Sequence, residues 1–449
     1  MWRSETTALA TLAVAVLLAY FNALGGVFQF DDYNVIVNNP AVHSLPAWLD
    51  SMPGMRPLLK LSYALNWAIH SGPFGFHLFN VLVHAVNTLL VYRLLLALSN
   101  GRPNAQWAPL IAALLFALHP VQTEAVSYVS GRSVSLMALF YLYSVLAWLR
   151  ADRAQGAGAW RTLSAGLFGV ALLVKETAVT LPLALLLLDV WRARAALAPA
   201  QLVWRQRWHL LVLAGAIVVF MFSPVYRHLL DVSVSARGIG DNLLTQANAI
   251  WYLAGQLVMP WRMNVDPDLP VLSEMTLPLL LQSAAIVAII VAGLRNLHRH
   301  AWLAFAALWF FLHLLPTNSL LPRLDVANDR QLYLAAIGLF HAIGLGVEVL
   351  LRRFRHKWMV GVAIAAILLV LGVATVQRNL AYSAAVDFWE DALMKSPRKA
   401  RVANNLGFAY QQAGRLAEAK LAYQQAIEID PEYWRARINL DVLESAGSR

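Results

Sequence analysis

The chain has 449 residues, 59% hydrophobic and only 13% charged, with a mean hydropathy of +0.56, where a soluble domain has roughly 45–50% apolar and 25% charged residues. That balance excludes an ordinary soluble enzyme, and the absence of Cys excludes a disulfide framework, a thiolate metal site and a cysteine nucleophile. The net charge of +10 does not point to nucleic acid, because the cations sit in short segments between apolar runs and not along one soluble face.

Eleven apolar runs approach the length needed to cross a ~30 Å hydrocarbon core. They lie near 7–26, 76–98, 107–119, 131–149, 162–174, 177–191, 209–223, 276–294, 301–315, 331–351 and 358–376. The runs 107–119 and 162–174 are short, and are expected to extend into polar flanks or to break near one surface. The first run leads straight into Phe28 to Asp32 without a small-residue cleavage site, so an uncleaved helix is expected. Sixteen Trp, 14 Tyr and 18 Phe suit membrane–water interfaces.

The connecting segments alternate in charge. One set holds Arg3; Arg93 and Arg102; Arg150, Arg153 and Arg161; Arg192, Arg194, Arg205 and Arg207; Arg295 and Arg299; then Arg352, Arg353, Arg355 and Lys357. The positive-inside rule makes this set cytoplasmic. The other set holds Asp31, Asp32, Asp50, Glu124, Glu176, Asp231, Asp241, Asp266, Asp268, Glu274, Asp325 and Asp329, and faces outward. Eleven crossings from a cytoplasmic N-terminus place the C-terminus outside. The first outer loop is then 27–75, and the outer loop 224–275 must contain a re-entrant or interfacial helix at 243–259.

From about residue 378 the composition turns charged and Ala-rich. Counting Ala400 as one, Leu406, Gly407, Tyr410, Ala419, Tyr423, Ala426 and Pro431 fall on positions 7, 8, 11, 20, 24, 27 and 32 of a 34-residue tetratricopeptide repeat. Ala385, Trp389, Ala392 and Pro397 repeat its second half one period earlier, and Trp434 to Leu443 resemble the first helix of another. One repeat between two halves is fewer than the roughly three needed for independent stability. The 378–449 module is therefore expected to lean on the membrane domain of 1–377. It would serve either as a helical cap on the last span or as a docking surface for a protein or peptide.

The polar groups crowd the outer side. Phe30-Asp31-Asp32-Tyr33 follows the first span; neighbouring side chains in an extended loop point apart, so one carboxylate can face a reactant while the other fixes the loop. Arg56 and Lys60 precede the second span, where Asn80, His84 and Asn87 descend one helical face, and the cations can hold a phosphate or snorkel to headgroups. In His119-Pro120-Val121-Gln122-Thr123-Glu124 the Pro ends a helix, and His119 with Glu124 is expected as a hydrogen-bonded pair shaping a cavity, followed by Gly131-Arg132. Lys175-Glu176 lies between two short apolar halves, to be read as an ion pair (mutual, or with Asp31 or Asp32) or as a lysine reaching a lipid phosphate. Asp329-Arg330-Gln331-Leu332-Tyr333 adds an Arg at a helix start, where amides and guanidinium can hold an anion. A transporter would place such groups near the midplane with internal symmetry; here surface chemistry on a lipid-linked substrate is expected.

Together these motifs resemble, in order and spacing, the transmembrane and tetratricopeptide-repeat containing O-mannosyltransferases. The resemblance rests on Phe-Asp-Asp after span one, Arg-Pro-Leu before span two, Phe-His-Leu-Phe-Asn-Val-Leu-Val-His at 76–84, and Leu-Phe-Ala-Leu-His-Pro-Val-Gln-Thr-Glu-Ala-Val at 115–126. Gly131-Arg132, Lys175-Glu176, Asp329 to Tyr333 and the repeats complete it. It implies an all-α glycosyltransferase of the C superfamily with about eleven transmembrane helices, using a polyprenyl-phosphate monosaccharide, mannose or a similar hexose, on the lumenal or periplasmic side. Carried over residue by residue, Asp31 is the base that deprotonates an acceptor hydroxyl, that of a protein Ser or Thr, with Asp32 as its partner. Arg56, Lys175 and Arg330 are candidates to hold the donor phosphate, and Lys60, His119, Glu124, Arg132, Glu176 and Tyr333 to shape the cavity. The larger family members carry many repeats where this chain has few.

Inverting displacement needs one base and no covalent intermediate. No cofactor is expected, fixed cations taking the role of a metal; a divalent ion near Asp31, Asp32 and Glu124 is the alternative. The expected partners are the lipid-linked sugar, membrane lipids and a protein or peptide acceptor docked on the repeats. Frequent Arg over Lys points to a bacterial inner membrane facing the periplasm, and otherwise to the endoplasmic reticulum. Two competing functions are a membrane-anchored scaffold for envelope assembly and a polymerase or ligase joining lipid-linked glycans.

Overall fold

A computed structural model describes residues 2–52, 54–99, 107–153, 155–192, 198–299 and 301–447. Arg102 and Arg194 of the cation series lie outside the described residues, as does the side chain of Arg3. Every element among the described residues is helical.

Among the described residues eight helices are long and apolar enough to cross a membrane: Glu5–Gly25, Pro73–Ser99, Val129–Ala151, Ala157–Val174, Pro199–Phe222, Leu277–Arg295, Asp329–Arg353 and Lys357–Leu380. A ninth span exists if Ala108–Leu118 and Pro120–Val126, bent by 56° at Pro120, count together. The chain is therefore an all-α, multi-pass membrane protein with eight or nine candidate spans, fewer than the eleven expected from apolar runs. The difference lies in helix length. Leu181–Arg192 has 12 residues and Ala301–Leu314 has 14, rising ~18 and ~21 Å, short of the ~30 Å core. The first begins late, because Glu176–Thr180 forms a tight 3-10 turn before Pro182, and the second stops where polar Thr317 and Asn318 hydrogen-bond each other.

The centre of the bundle is Pro73–Ser99, Val129–Ala151 and Asp329–Arg353, whereas Lys357–Leu380 is almost wholly on the outside. Polar side chains in this centre pair across helices. Asn87 donates to the Ser135 carbonyl (2.8 Å) and to the Tyr333 hydroxyl (3.0 Å), and His84 Nδ1 meets the same hydroxyl at 2.8 Å. Such pairs hold helices together where burial of apolar surface offers no net drive. A Cβ on Gly338 would lie 2.9 Å from the Ala306 carbonyl oxygen, so only glycine lets 301–314 and 332–353 approach this closely.

Contacts divide the bundle into two faces. On one, Arg93 meets Glu5 (3.2 Å), Arg192 and Arg205 meet Asp152 (3.2 and 2.8 Å), and Arg352 meets Glu348 (2.7 Å). The other, called the site face below, carries the segments around 21–56, 119–131, 175–180, 256–276 and 315–331. The helix Ile239–Gln256 joins it: Asn242 and Gln246 donate to the Ser319 and Val326 carbonyls (2.6 and 3.3 Å), and Trp251 Nε1 to that of Gln282 (3.1 Å).

After the last span, four helices, Ala385–Lys395, Ala400–Gln412, Leu416–Ile429 and Trp434–Gly447, each pack on the next. A Cβ on Gly407 would fall 2.6 Å from the Tyr423 ring, which explains glycine at that repeat position. The stack lies against the site face. Phe30 packs edge-on to Trp389 and Tyr33 to Phe408 (centroids 5.3 and 6.5 Å), and Arg378 at the end of the last span pairs with Asp391 (2.6 Å).

Candidate active site

The two adjacent carboxylates have opposite surroundings. Asp32 is fully buried and accepts from the Gln29 amide (2.9 Å), the Ser130 amide (2.8 Å) and the Ser130 hydroxyl. Burial pushes its pKa up to about 7 against the pull of those hydrogen bonds. Asp32 thereby latches the first site-face loop to the 128–132 turn. Asp31 is only half-buried, and its carboxylate makes no hydrogen bond or ion pair among the described residues. Its amide donates to the Tyr128 hydroxyl at 2.9 Å, and Phe30 before it holds a left-handed φ of 42°, which costs a non-glycine residue roughly 1 kcal/mol. The chain thus holds Asp31 by its backbone and leaves its carboxylate open.

Tyr128, which no local motif singles out, lies between this loop and Arg330, whose guanidinium sits 5.8 Å from its ring centroid. Burial, then Asp32 and Asp31, raise its phenol well above the usual range, with Arg330 opposing. Arg330 binds Glu124 twice, through its backbone amide (2.9 Å) and its guanidinium (3.3 Å). The expected His119–Glu124 pair does not form. The bend at Pro120 turns His119 away, so that Nδ1 accepts from the Val121 amide (3.1 Å) and Nε2 meets the Leu257 carbonyl (3.1 Å). Gly131 is required because a Cβ there would collide with the Glu124 carbonyl oxygen.

Arg132 supports the site from behind as a staple and does not line the cavity. It is completely buried, donating to Asn80 Oδ1 (2.7 Å) and to the Ser62 and Phe76 carbonyls (3.1 and 3.0 Å), with its guanidinium 4.4 Å from the Phe79 ring centroid. Asn80 in turn donates to the carbonyls of Val126 and Val129 (both 3.2 Å). Tyr333 likewise belongs to the bundle interior with His84 and Asn87, away from the cavity in which it was expected.

Arg56, at a left-handed φ of 51°, forms a two-pronged pair with Glu176, Nε–Oε1 and Nη2–Oε2 both 2.9 Å. Glu176 is therefore not the partner of Lys175, and neither Asp31 nor Asp32 is. Lys175 is 7% exposed, and among the described residues its ammonium has only the Ser133 hydroxyl as a hydrogen-bond partner, at 3.2 Å. Burial, together with Arg56, Arg330 and Arg323, drives its pKa well below the usual lysine range despite Glu176. Lys60 is half-buried beside Gly54 and carries no acid among the described residues.

Lys175, Arg330 and Arg323 line one cavity of about 30 Å3 with His313, Thr317 and Gln331. Arg323, another residue that sequence reasoning missed, is pushed down to about 10 by burial and by Arg330, with Asp325 opposing. Three cations therefore meet around a chamber to which, among the described residues, only Glu124, through Arg330, brings a directly bound carboxylate. Uncompensated buried cations are expensive, and an anionic ligand is the physical remedy. Among the described residues no group of three or more His, Asp or Glu side chains is placed to hold a metal ion.

The repeat helices close the site from above. Arg401 Nη2 meets Asp325 Oδ1 at 2.7 Å, Arg401 Nε meets Asp266 Oδ2 at 2.8 Å, and its guanidinium lies 5.9 Å from the Phe30 ring centroid. Lys399 adds a pair to Asp266 (2.5 Å).

Residues 400–433 match the tetratricopeptide repeat model. The chain is 28% identical to the protein O-mannosyl-transferase Tmtc3 of Drosophila melanogaster over 96% of its own length and 56% of that relative. It is 24% identical to human protein O-mannosyl-transferase TMTC3 over 96% and 52%, and 38% identical to Drosophila protein O-mannosyl-transferase Tmtc2 over 42% and 22%. The crystal structure of the Archaeoglobus fulgidus oligosaccharyltransferase overlays 86% of the chain and 55% of its own, with a TM-score of 0.40 and 14% identity. The chain spans about half the length of the curated relatives that match nearly all of it. It is thus a multi-pass membrane protein with a tetratricopeptide repeat, similar along nearly its whole length to the protein O-mannosyl-transferases.

Proposed function

We propose that the chain is a membrane glycosyltransferase of the C-superfamily type, moving a hexose such as mannose from a polyprenyl-phosphate donor to a hydroxyl acceptor, a protein Ser or Thr, by inverting displacement. The observation that carries this is the pairing of an open carboxylate, Asp31, with a chamber of three cations one aromatic ring away. The similarity to the protein O-mannosyl-transferases supports the sugar and the acceptor class. The arginine-rich ends of the bundle support a cytoplasmic assignment for the opposite face, leaving the site face and the repeats extracytoplasmic.

In this mechanism Asp31 accepts the proton of the acceptor hydroxyl as its oxygen bonds to the anomeric carbon. The bond from that carbon to the phosphate oxygen breaks on the opposite side, and the electron pair leaves with the polyprenyl phosphate. Lys175, Arg323 and Arg330 hold the charge that develops there, in a site shielded from water where fixed cations act strongly. Asp32 keeps its position as latch and takes no part in proton transfer. Arg56, already neutralised by Glu176, shapes the rim.

The test is release of polyprenyl phosphate from polyprenyl-phosphate mannose by the purified full chain in lipid. Asp31→Asn should lower turnover by roughly 10²–10⁴-fold with an unchanged melting temperature. Wild-type turnover in that variant, or activity only on pyrophosphate-linked glycans, would overturn the assignment.

A further inference from the structure

Of the module side chains that meet the site face, Arg401 touches both the loop before Asp31 and the segment that bears Arg323 and Arg330. Arg401, near the start of Ala400–Gln412, bridges two carboxylates that belong to separate site-face segments, Asp325 (2.7 Å) and Asp266 (2.5 Å, with a second bond from Nε at 2.8 Å). Asp325 lies two residues from Arg323 and five from Arg330. On its other side the same guanidinium covers the ring of Phe30, whose strained backbone precedes Asp31. Arg401 therefore touches the neighbours of the open carboxylate and of two of the three chamber cations, but none of those three groups themselves.

Two further ties keep the contact in register. Ser396 accepts from Asn264 (2.7 Å) and donates to the Asp266 carbonyl (2.9 Å), and Lys395 donates to the Met263 carbonyl (2.9 Å). Charged groups this well bonded are worth more than exposed pairs, because both Asp266 and the arm of Arg401 are largely out of water.

We propose that Arg401 is a positioning residue, and that the repeat module is one wall of the active site instead of a separate docking domain. Through Asp325 it holds the segment bearing Arg323 and Arg330 over the donor phosphate, and through Phe30 it fixes the backbone that aims Asp31. The catalytic half of this statement rests on the glycosyltransferase reading above; the structural half does not.

The experiment compares full-length wild type, Arg401→Gln, Arg401→Lys and Arg415→Gln in lipid nanodiscs. Among the described residues Arg415 pairs with Glu418 and lies over the Tyr410 ring on the exposed side of the module, so its variant makes the same charge change away from the site. Amide hydrogen exchange needs no substrate. Arg401→Gln should speed exchange at least ~10-fold at 28–33 and 318–331 while helices 400–412 and 416–429 keep wild-type protection, with Arg401→Lys partly restored and Arg415→Gln unchanged. Unchanged loops, or loss of protection throughout the repeat helices, would overturn the proposal. With polyprenyl-phosphate mannose, the donor KM should rise about tenfold in Arg401→Gln, and Arg401→Lys should recover part of it. A normal KM in an active enzyme whose loops have loosened would also overturn it. A wild type that releases nothing from this donor rejects the glycosyltransferase reading instead, and leaves exchange to decide the structural half.

Discussion

Replacing Lys175 by Met should stabilise the apo protein and abolish its use of the donor. The ammonium is buried with one hydroxyl as its hydrogen-bond partner and three arginines as its electrostatic neighbours. Burying an ion costs several kcal/mol after relaxation, while the bond to Ser133 returns about 1 kcal/mol. Met has nearly the same length and no charge, so a net gain of about 2 kcal/mol is expected, or a melting temperature several degrees higher. The sign with pH follows from the lowered pKa. The unfolded chain holds the proton where the folded one has lost it, so stability rises with pH between the folded value and the ordinary lysine value near 10.5. It is lost as pH falls through the folded value, and Lys175→Met should flatten that slope. Thermal unfolding in nanodiscs between pH 7 and pH 10 measures both effects, and polyprenyl phosphate release measures function. A variant several degrees less stable would show that the lysine is compensated and structural, and one that still turns over the donor would remove the cation from the mechanism.

Three further outcomes are expected. Because Arg56 and Glu176 neutralise each other, Arg56→Gln combined with Glu176→Gln should keep donor release within about tenfold of wild type, whereas Arg330→Gln should cost a hundredfold or more; steady-state turnover compares them. Asp32 has a folded pKa of about 7, raised from 3.8, so its contribution is present below pH 4 and lost as pH rises through 7. Exchange at residues 28–33 should quicken over that range, and Asp32→Asn should abolish the dependence while loosening the loop. Gly131→Ala should displace the Glu124 carbonyl at a cost of about 1–3 kcal/mol, visible as a lower melting temperature together with weaker donor binding.

Much of the architecture was legible because it is local. Apolar runs, alternating loop charge and repeat spacing each depend on residues a few positions apart, and Gly407 occupies its repeat position for the reason the structure gives, a tyrosine ring against its backbone. One open and one bonded carboxylate at Asp31 and Asp32 were expected from an extended loop; both residues are instead helical, where successive side chains also diverge. Partners were not legible. Glu124 and Arg330 are 206 positions apart, and local spacing instead suggested His119, which the bend at Pro120 removes. Lys175 and Glu176 look like a pair in sequence, yet adjacent residues leaving a helix point apart, and Arg56 takes the glutamate. Arg323 and Tyr128 sit in segments with no periodicity to mark them, and Tyr333 was drawn to the cavity by its neighbour Arg330 although its own direction is into the bundle.

The short helices bear on the surrounding lipid. Ala108–Leu118, Leu181–Arg192 and Ala301–Leu314 join the central Asp329–Arg353 in one contiguous row, Ala301–Leu314 touching Leu181–Arg192 and both Ala108–Leu118 and Ala301–Leu314 packing on the central helix. Each falls ~10 Å or more short of the hydrocarbon thickness. Around a row this short a bilayer thins or polar backbone sinks below the headgroup plane, and Lys175 directly precedes the turn that leads into the short Leu181–Arg192. A lipid phosphate can then reach Lys175 without its tail leaving the membrane, and turnover should fall as bilayers of longer acyl chains lift the headgroups away from the chamber.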